Sequence, residues 1–392
     1  SMLSLNKNQE LNTKIFNNNI KEIYNTERFE YINYDIINID DKNSKLILNI
    51  KESENKRLKL GAVWDNHYKL IGKIKLDIFN KPFKKFRLQN ELLFSGIKQN
   101  KLTLYYLLSR NNKINLIPFI EFTNRIKDIG IYYIPDNQMN YIDHDFKETS
   151  LGLIYPISKF GSISISYNIS SSKSNFRESV WDVVSFTNNR KKYTKIKLEI
   201  DQIDDLLHPK NGYKINAIYQ HSPDNYTTIN NNCATNGMPC NPWEDENGYK
   251  YLYSEIDYYK TYNYNHTLRV FSQYKSSYSS STYNGMPLYL MSTYGGSNLA
   301  VGYDEHILTA KNLSLIGLEY QYHFKNSLTY RVILNWAGKV DYENGPINYG
   351  VGMRIKSLIG PLDFTWGRGH SEPFNKNSKE ISIFYFNFGV VL

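Results

Sequence analysis

The chain has 392 residues, a formal charge of +9 at pH 7, 34 Tyr and 19 Phe, and a mean hydropathy of only −0.53. No run approaches the roughly 18 apolar residues of a membrane helix, so any membrane crossing has to be made by strands. The Lys and Arg residues are dispersed over polar strand faces and turns, which argues against nucleic-acid binding and favours a charged interior or contact with anionic lipid and lipopolysaccharide headgroups.

The first segment, residues 3–56, differs in kind from the rest. "NQELNTKIFNNNIKEIYN" places Leu11, Ile15, Phe16, Ile20, Ile23 and Tyr24 near one helical face. Two strand candidates follow, "FEYINYDIIN" (29–38) and "KLILNIKES" (45–53), joined by the turn-prone "IDDKNS". This α+β piece is too small to bury much core alone.

From residue 57 to 392 the dominant signal is strict alternation. Residues 70–79 set Leu70, Ile74, Leu76 and Ile78 against Lys73, Lys75 and Asp77, and residues 86–94 set Phe86, Leu88, Leu92 and Phe94 against Arg87, Gln89 and Glu91. "GSISISYNIS" (161–170) opposes Ile163, Ile165, Tyr167 and Ile169 to Ser and Asn, and residues 193–200 oppose Ile196, Leu198 and Ile200 to Lys and Glu. Near the end, Ile316, Leu318, Tyr320, Tyr322 and Phe324 alternate with Gly317, Glu319, Gln321 and His323; Phe384, Phe386, Phe388, Val390 and Leu392 alternate with Tyr385, Asn387 and Gly389.

Periodicity alone fits both a soluble two-sheet protein, with the apolar face inside, and a membrane barrel, with the apolar face outside. High aromatic content with low mean hydropathy favours the barrel, whose aromatic girdles surround a wet lumen. Connection lengths add an independent argument. Roughly sixteen candidates of about ten residues are separated by short connections (near 80–84, 109–113, 158–161, 260–265, 325–327 and 356–360) alternating with long ones (124–145, 171–190, 223–248, 277–310 and 368–378), the exceptions being 201–212, long for its rim, and the first outer connections, which are brief. The fold expected is all-β, a 16-stranded antiparallel transmembrane barrel with a small N-terminal α+β segment.

Cys233 and Cys240 lie in one of the long connections. A disulfide closing a small surface loop is the natural reading, ahead of a two-ligand metal site with no further ligand at usable spacing. Catalytic and cofactor sites are not expected: "YGGSN" around Ser297 lacks the spacing of a nucleophile elbow, and the Asp143–Asp145 and Gly369–Glu372 stretches read as solvated loop. The connection holding "YGGSNLAVGYDE" is roughly 34 residues long and glycine-led, so it is expected to fold into the lumen. The first strand, "RLKLGAVWD", and the last should meet at a weak closing seam carrying Gly61 and Gly389.

A helix and hairpin entering "LKLGAVWDN", the strand opening "HPKNGYKINAIYQ", and the strands "GPLDFTWG" and "ISIFYFNFGVVL" together resemble the Omp85 superfamily: the end of a POTRA domain before a barrel, the family's Pro-x-x-Gly strand opening, its penultimate strand and its last. The 295–303 stretch is similar to the family's sixth extracellular loop. Assembly factors and two-partner secretion transporters carry an Arg-Gly-Tyr or Arg-Gly-Phe tip paired with an Asp on a facing strand. Here the Arg position is Val301, before Gly302 and Tyr303, and the Asp position falls on Trp336. With Gly295 and Gly296 ahead of it, this form looks most like the patatin-like type Vd autotransporters. The resemblance implies a translocator or anchor in the outer membrane of a Gram-negative bacterium, with a phospholipase passenger upstream in cis, the outer-membrane assembly machinery as partner, and a homodimer as a compatible state. An Omp85 assembly or secretion factor is the alternative, and a barrel enzyme or passive pore the second.

Overall fold

A computed structural model describes residues 16, 20, 29–39, 44–52, 56–65, 68–79, 85–107, 116–133, 138–158, 160–176, 184–205, 208–231, 243–279, 292–295, 300–303, 308–310, 312–324, 327–339, 343–357, 360–370 and 379–388. Two short strands, β1 (Phe29–Asn38) and β2 (Ser44–Glu52), form an antiparallel hairpin. The buried ring of Phe16, from the helical stretch, meets Tyr34 edge-on at 5.0 Å.

All remaining long strands belong to one antiparallel sheet in sequence order: β3 (Lys56–Asp65), β4 (Lys69–Phe79), β5 (Phe86–Ser95), β6 (Lys98–Tyr106), β7 (Ile117–Tyr133), β8 (Gln138–Ser158), β9 (Gly161–Phe176), β10 (Val184–Asp201), β11 (Gly212–Asn231), β12 (Trp243–Thr261), β13 (His266–Ser279), β16 (Asn312–Phe324), β17 (Leu328–Lys339), β18 (Glu343–Ser357), β19 (Gly360–His370) and β20 (Glu380–Phe388). Between β13 and β16 a separate small hairpin pairs β14 (Ser292–Tyr294) with β15 (Leu308–Ala310). The sixteen strands curl into a nearly closed barrel whose edges are β3 and β20. Those edges come within 8 Å, Cα to Cα, but no ladder joins them among the described residues. At the expected seam the described residues show an approach of two edges; Gly61 sits on β3 opposite Lys73, and Gly389 lies outside the described residues.

The barrel is inside-out. Along β9, Ile165 is 50% exposed and Asn168 is fully buried; along β16 and β17, Leu334 is 47% exposed and Glu319 1%. Apolar residues thus face outward and polar ones line the lumen, the opposite of a soluble sandwich.

Two expectations are corrected. Strands of about ten residues describe β3–β6, β19 and β20, whereas β7–β12 run to 16–21 residues. The stretches expected as long loops at 124–145, 171–190 and 223–248 are largely hairpin ladder. Their Asn, Ser and Lys content reads as loop, yet backbone pairing is indifferent to side chains that are solvated on both faces. For the same reason Asp143, His144 and Asp145 are in β8 and not in a loop.

The 201–212 turn folds back under the barrel. Gly212 holds a φ of 116°, and a Cβ there would lie 2.1 Å from the Gln202 carbonyl, so the tight return requires glycine. Its buried His208 reaches Thr329 of β17 through Nδ1 at 3.3 Å, and the Lys210 carbonyl accepts from Thr261 Oγ1 at 2.7 Å. Burial, followed by the nearby Arg354 charge, holds the His208 pKa below its ordinary value.

Candidate functional site

Inward-facing residues alternate with outward ones, so every second residue of each strand contributes to the lumen. On β13, β16 and β17 that inward parity carries an apolar patch: Phe271, Leu313, Leu315, Ile333 and Ala337 are all at most 2% exposed. Ala300, Val301 and Tyr303 pack onto it, together with Tyr385 of β20. The tip of the long connection thus lies inside the barrel.

The tip is held by close backbone approach. Gly302 has a φ of 92°, and a Cβ there would meet the Arg368 carbonyl oxygen at 2.6 Å. The facing wall is itself glycine: Gly350 of β18 and Gly367 of β19 are register partners, and a Cβ on either would sit 2.4 or 2.5 Å from Val301 Cγ1. Tyr385 Oη accepts from the Gly302 amide at 2.9 Å and donates to the Tyr303 carbonyl at 2.7 Å. Asn335 Nδ2 donates to the Val301 carbonyl at 3.5 Å.

Of the residues singled out from sequence, Val301, Gly302 and Tyr303 come together here. Gly295 is buried at the end of β14; Gly296, Cys233, Cys240 and Ser297 lie outside the described residues. Trp336 takes the outward position of β17, and its neighbour Asn335 is the residue that touches the tip: one residue along a strand exchanges the two faces. Val301 needs no charged partner, since its methyls occupy space that the two glycines leave. Tyr385, Asn335 and the glycine wall were not identified from sequence. Their signal is nonetheless present, in "YGVGM" and "WGRGH", where alternate glycines on adjacent strands mark a place for another backbone. Leu313 and Leu315, apolar on the otherwise polar parity of β16, mark the same place.

Around that patch runs a continuous ion-pair lattice. Arg269 on β13 bridges Asp257 (Nε to Oδ1 2.7 Å) and Glu319 (2.9 Å); Arg331 on β17 bridges Glu319 (3.5 Å) and Asp363; Arg354 on β18 donates to Asp363 at 3.0 Å. Three guanidinium groups are matched by three carboxylates, and Glu319 and Arg331 have side chains 1% exposed. Such desolvated charges persist only as a complete set.

The other half of the lumen, from β4 to β12, is different. It holds a cavity of about 530 Å³ among Glu91, Lys101, Arg125, Lys191 and their neighbours. Here Lys73 pairs with Glu91 (3.2 Å), Lys101 with Glu121 (3.1 Å) and Lys195 with Glu148 (3.2 Å). Arg125 and Lys191 have aromatic partners instead: Arg125 lies 5.4 Å from the Phe146 ring, and Lys191 is held between Tyr193 and Tyr249 at 4.9 and 4.6 Å. The described residues contain no cluster of metal-ligating side chains.

No family model matches the sequence, and neither does any curated protein. The fold does match solved structures. BamA from Haemophilus ducreyi lacking POTRA domains 1-3 is similar at TM-score 0.64 and 12% identity, over 99% of this chain and 80% of that one. CdiB from Escherichia coli gives 0.54 at 10% identity over 99% and 72%, and CdiB from Acinetobacter baumannii 0.50 at 12% over 99% and 70%. At such identities the likeness is one of fold.

Proposed function

We propose that the chain is an Omp85-superfamily barrel of the bacterial outer membrane that takes part in moving protein across or into that membrane. The observation that carries this reading is the inside-out wall: exposed Ile, Leu, Tyr and Phe ring a lumen whose buried residues are Glu319, Arg331, Asn168 and Gln321. In water such an exterior would aggregate, and in a bilayer it is the favoured arrangement. Two further features fit translocation better than passive conduction, namely a lumen occupied by the Val301–Tyr303 tip and a pair of edge strands that approach one another without a joining ladder among the described residues. Fold likeness to BamA and CdiB supports the same class.

More finely, we read the chain as the translocator or anchor of a patatin-like type Vd autotransporter, with residues 3–56 as a partial POTRA-like periplasmic segment and a phospholipase passenger upstream. The reading rests on Val301 standing where assembly and secretion factors carry arginine. This chain itself is then not an enzyme. The reading frame before residue 1 separates the alternatives: a G-x-S-x-G phospholipase domain supports the autotransporter, several POTRA repeats an assembly or secretion factor, and a bare signal peptide a pore. Seam opening is tested by cysteine pairs across β3 and β20, beginning with Lys59→Cys and Asn387→Cys. Oxidised pairs should block surface exposure of the passenger while the barrel stays folded, and normal exposure in the locked protein would refute export through the seam.

A further inference from the structure

The outer surface of β8, β9 and β10 is ordered in rows by the antiparallel register. One row, Leu151–Tyr167–Thr194, belongs to the apolar belt, with Leu151 64% exposed. The next toward the long hairpins is Thr149–Ile169–Lys192, and the next Lys147–Ser171–Arg190. Acidic residues begin only beyond these, with Asp145 in the row Asp145–Lys173–Asn188 and Asp143 and Asp128 paired one row further. Lys147 meets Asp145 only at 3.9 Å with its side chain 63% exposed, a contact that leaves the ammonium available.

The same place is concave. A groove of about 930 Å³ is lined by Leu102, Phe122, Ile169 and Lys192, which share one row, and by Lys147 and Arg190 of the next, with the lumen-facing Glu148 also on its lining. Strands two apart stand roughly 10 Å from one another, so Lys147 and Arg190 present two separated cations above an apolar floor. A zwitterionic headgroup carries no net charge to answer that arrangement; a headgroup with two phosphates does, and its acyl chains suit the floor.

We propose that this groove is a binding site for a multiply phosphorylated lipid of the leaflet beside the long hairpins, with Lys147, Arg190 and Lys192 holding the phosphates. The inference rests on the reading that the barrel spans a bilayer. It adds a particular lipid class and a particular place on the wall.

The refolded protein would be placed in phosphatidylcholine nanodiscs doped with bisphosphoryl lipid A, its monophosphoryl form, or neither, and retained lipid measured by native mass spectrometry after release. Wild type should keep the bisphosphoryl lipid in preference to the monophosphoryl form and to phosphatidylcholine. K147Q/R190Q/K192Q should bind it about a hundredfold more weakly, at about fivefold per cation removed, whereas K69Q/K260Q/K356Q, which removes the same charge elsewhere, should match wild type. Heat-modifiable migration confirms that each variant is folded, and Lys192→Glu alone serves should the triple variant not refold. Equal retention by the groove variant and wild type, or no preference among the three lipids, overturns the site while leaving the membrane reading standing. A chain that enters no bilayer overturns both.

Discussion

The two halves of the lumen are built by one alternation and end with different interiors. From β13 to β20 the inner wall is filled: an apolar patch and a glycine stripe receive the Val301–Tyr303 tip, and three arginines are matched to Glu319, Asp363 and, at the border on β12, Asp257. From β4 to β12 the wall is open, with a cavity of about 530 Å³ and two cations, Arg125 and Lys191, seated on aromatic rings. The difference shows that parity fixes which residues face the lumen, while exceptions within that parity decide what occupies it. Leucine and glycine where polar residues are the rule create a dry dock; charged and polar residues interspersed with aromatic rings leave space for water.

The largest effect should come from the filled half. Arg331→Ala leaves Glu319 and Asp363 short of their shared guanidinium in a dry site, and should cost about 3–5 kcal/mol in equilibrium urea unfolding of the lipid-refolded protein. Lys195→Ala in the open half, where water reaches Glu148 more readily, should cost clearly less, and equal losses would erase the distinction. Next, Gly367→Val should displace the tip, because its side chain claims the space of Val301 Cγ1 and the Gly302 amide; limited proteolysis should then cut near residue 303. Tyr385→Phe, which removes both bonds of that hydroxyl, should weaken docking by about 1–3 kcal/mol, measured as a shift in the same proteolysis midpoint.

A smaller, pH-dependent effect is expected at the 201–212 turn. His208 has its pKa lowered in the folded state, so folding releases protons there: its contribution is full above the ordinary value near 6.5 and is lost as pH falls below it. Stability should therefore drop between pH 7 and 5, and His208→Gln should flatten that part of the curve. Smallest is the effect of a Cys233–Cys240 disulfide: the loop it closes is short, so barrel stability should barely depend on it; alkylation and mass mapping without reductant decide whether it forms, and two free thiols would remove it.

Much of the barrel was legible because a period of two survives in nearly every strand, from Leu70–Ile78 to Phe384–Phe388. Hairpin length was not legible, since beyond the apolar belt both faces of β7–β12 are wet and Asn, Ser and Lys mark turn and solvated strand alike. The tip was legible as a glycine-bearing insertion, but its receptor was not: contact with Asn335 instead of Trp336 depends on a single step of register, and Tyr385 looked like one more polar-face residue. The seam was legible as the place where the two edges approach.

The central claim is that residues 300–303 keep the filled half closed. Planar-bilayer recording of the protein lacking residues 290–305 tests it most directly. Removing the tip should convert a nearly silent barrel into an open channel, with conductance raised about tenfold or more and a preference for anions set by Arg125 and Lys191. Conductance unchanged from the intact protein would contradict the account.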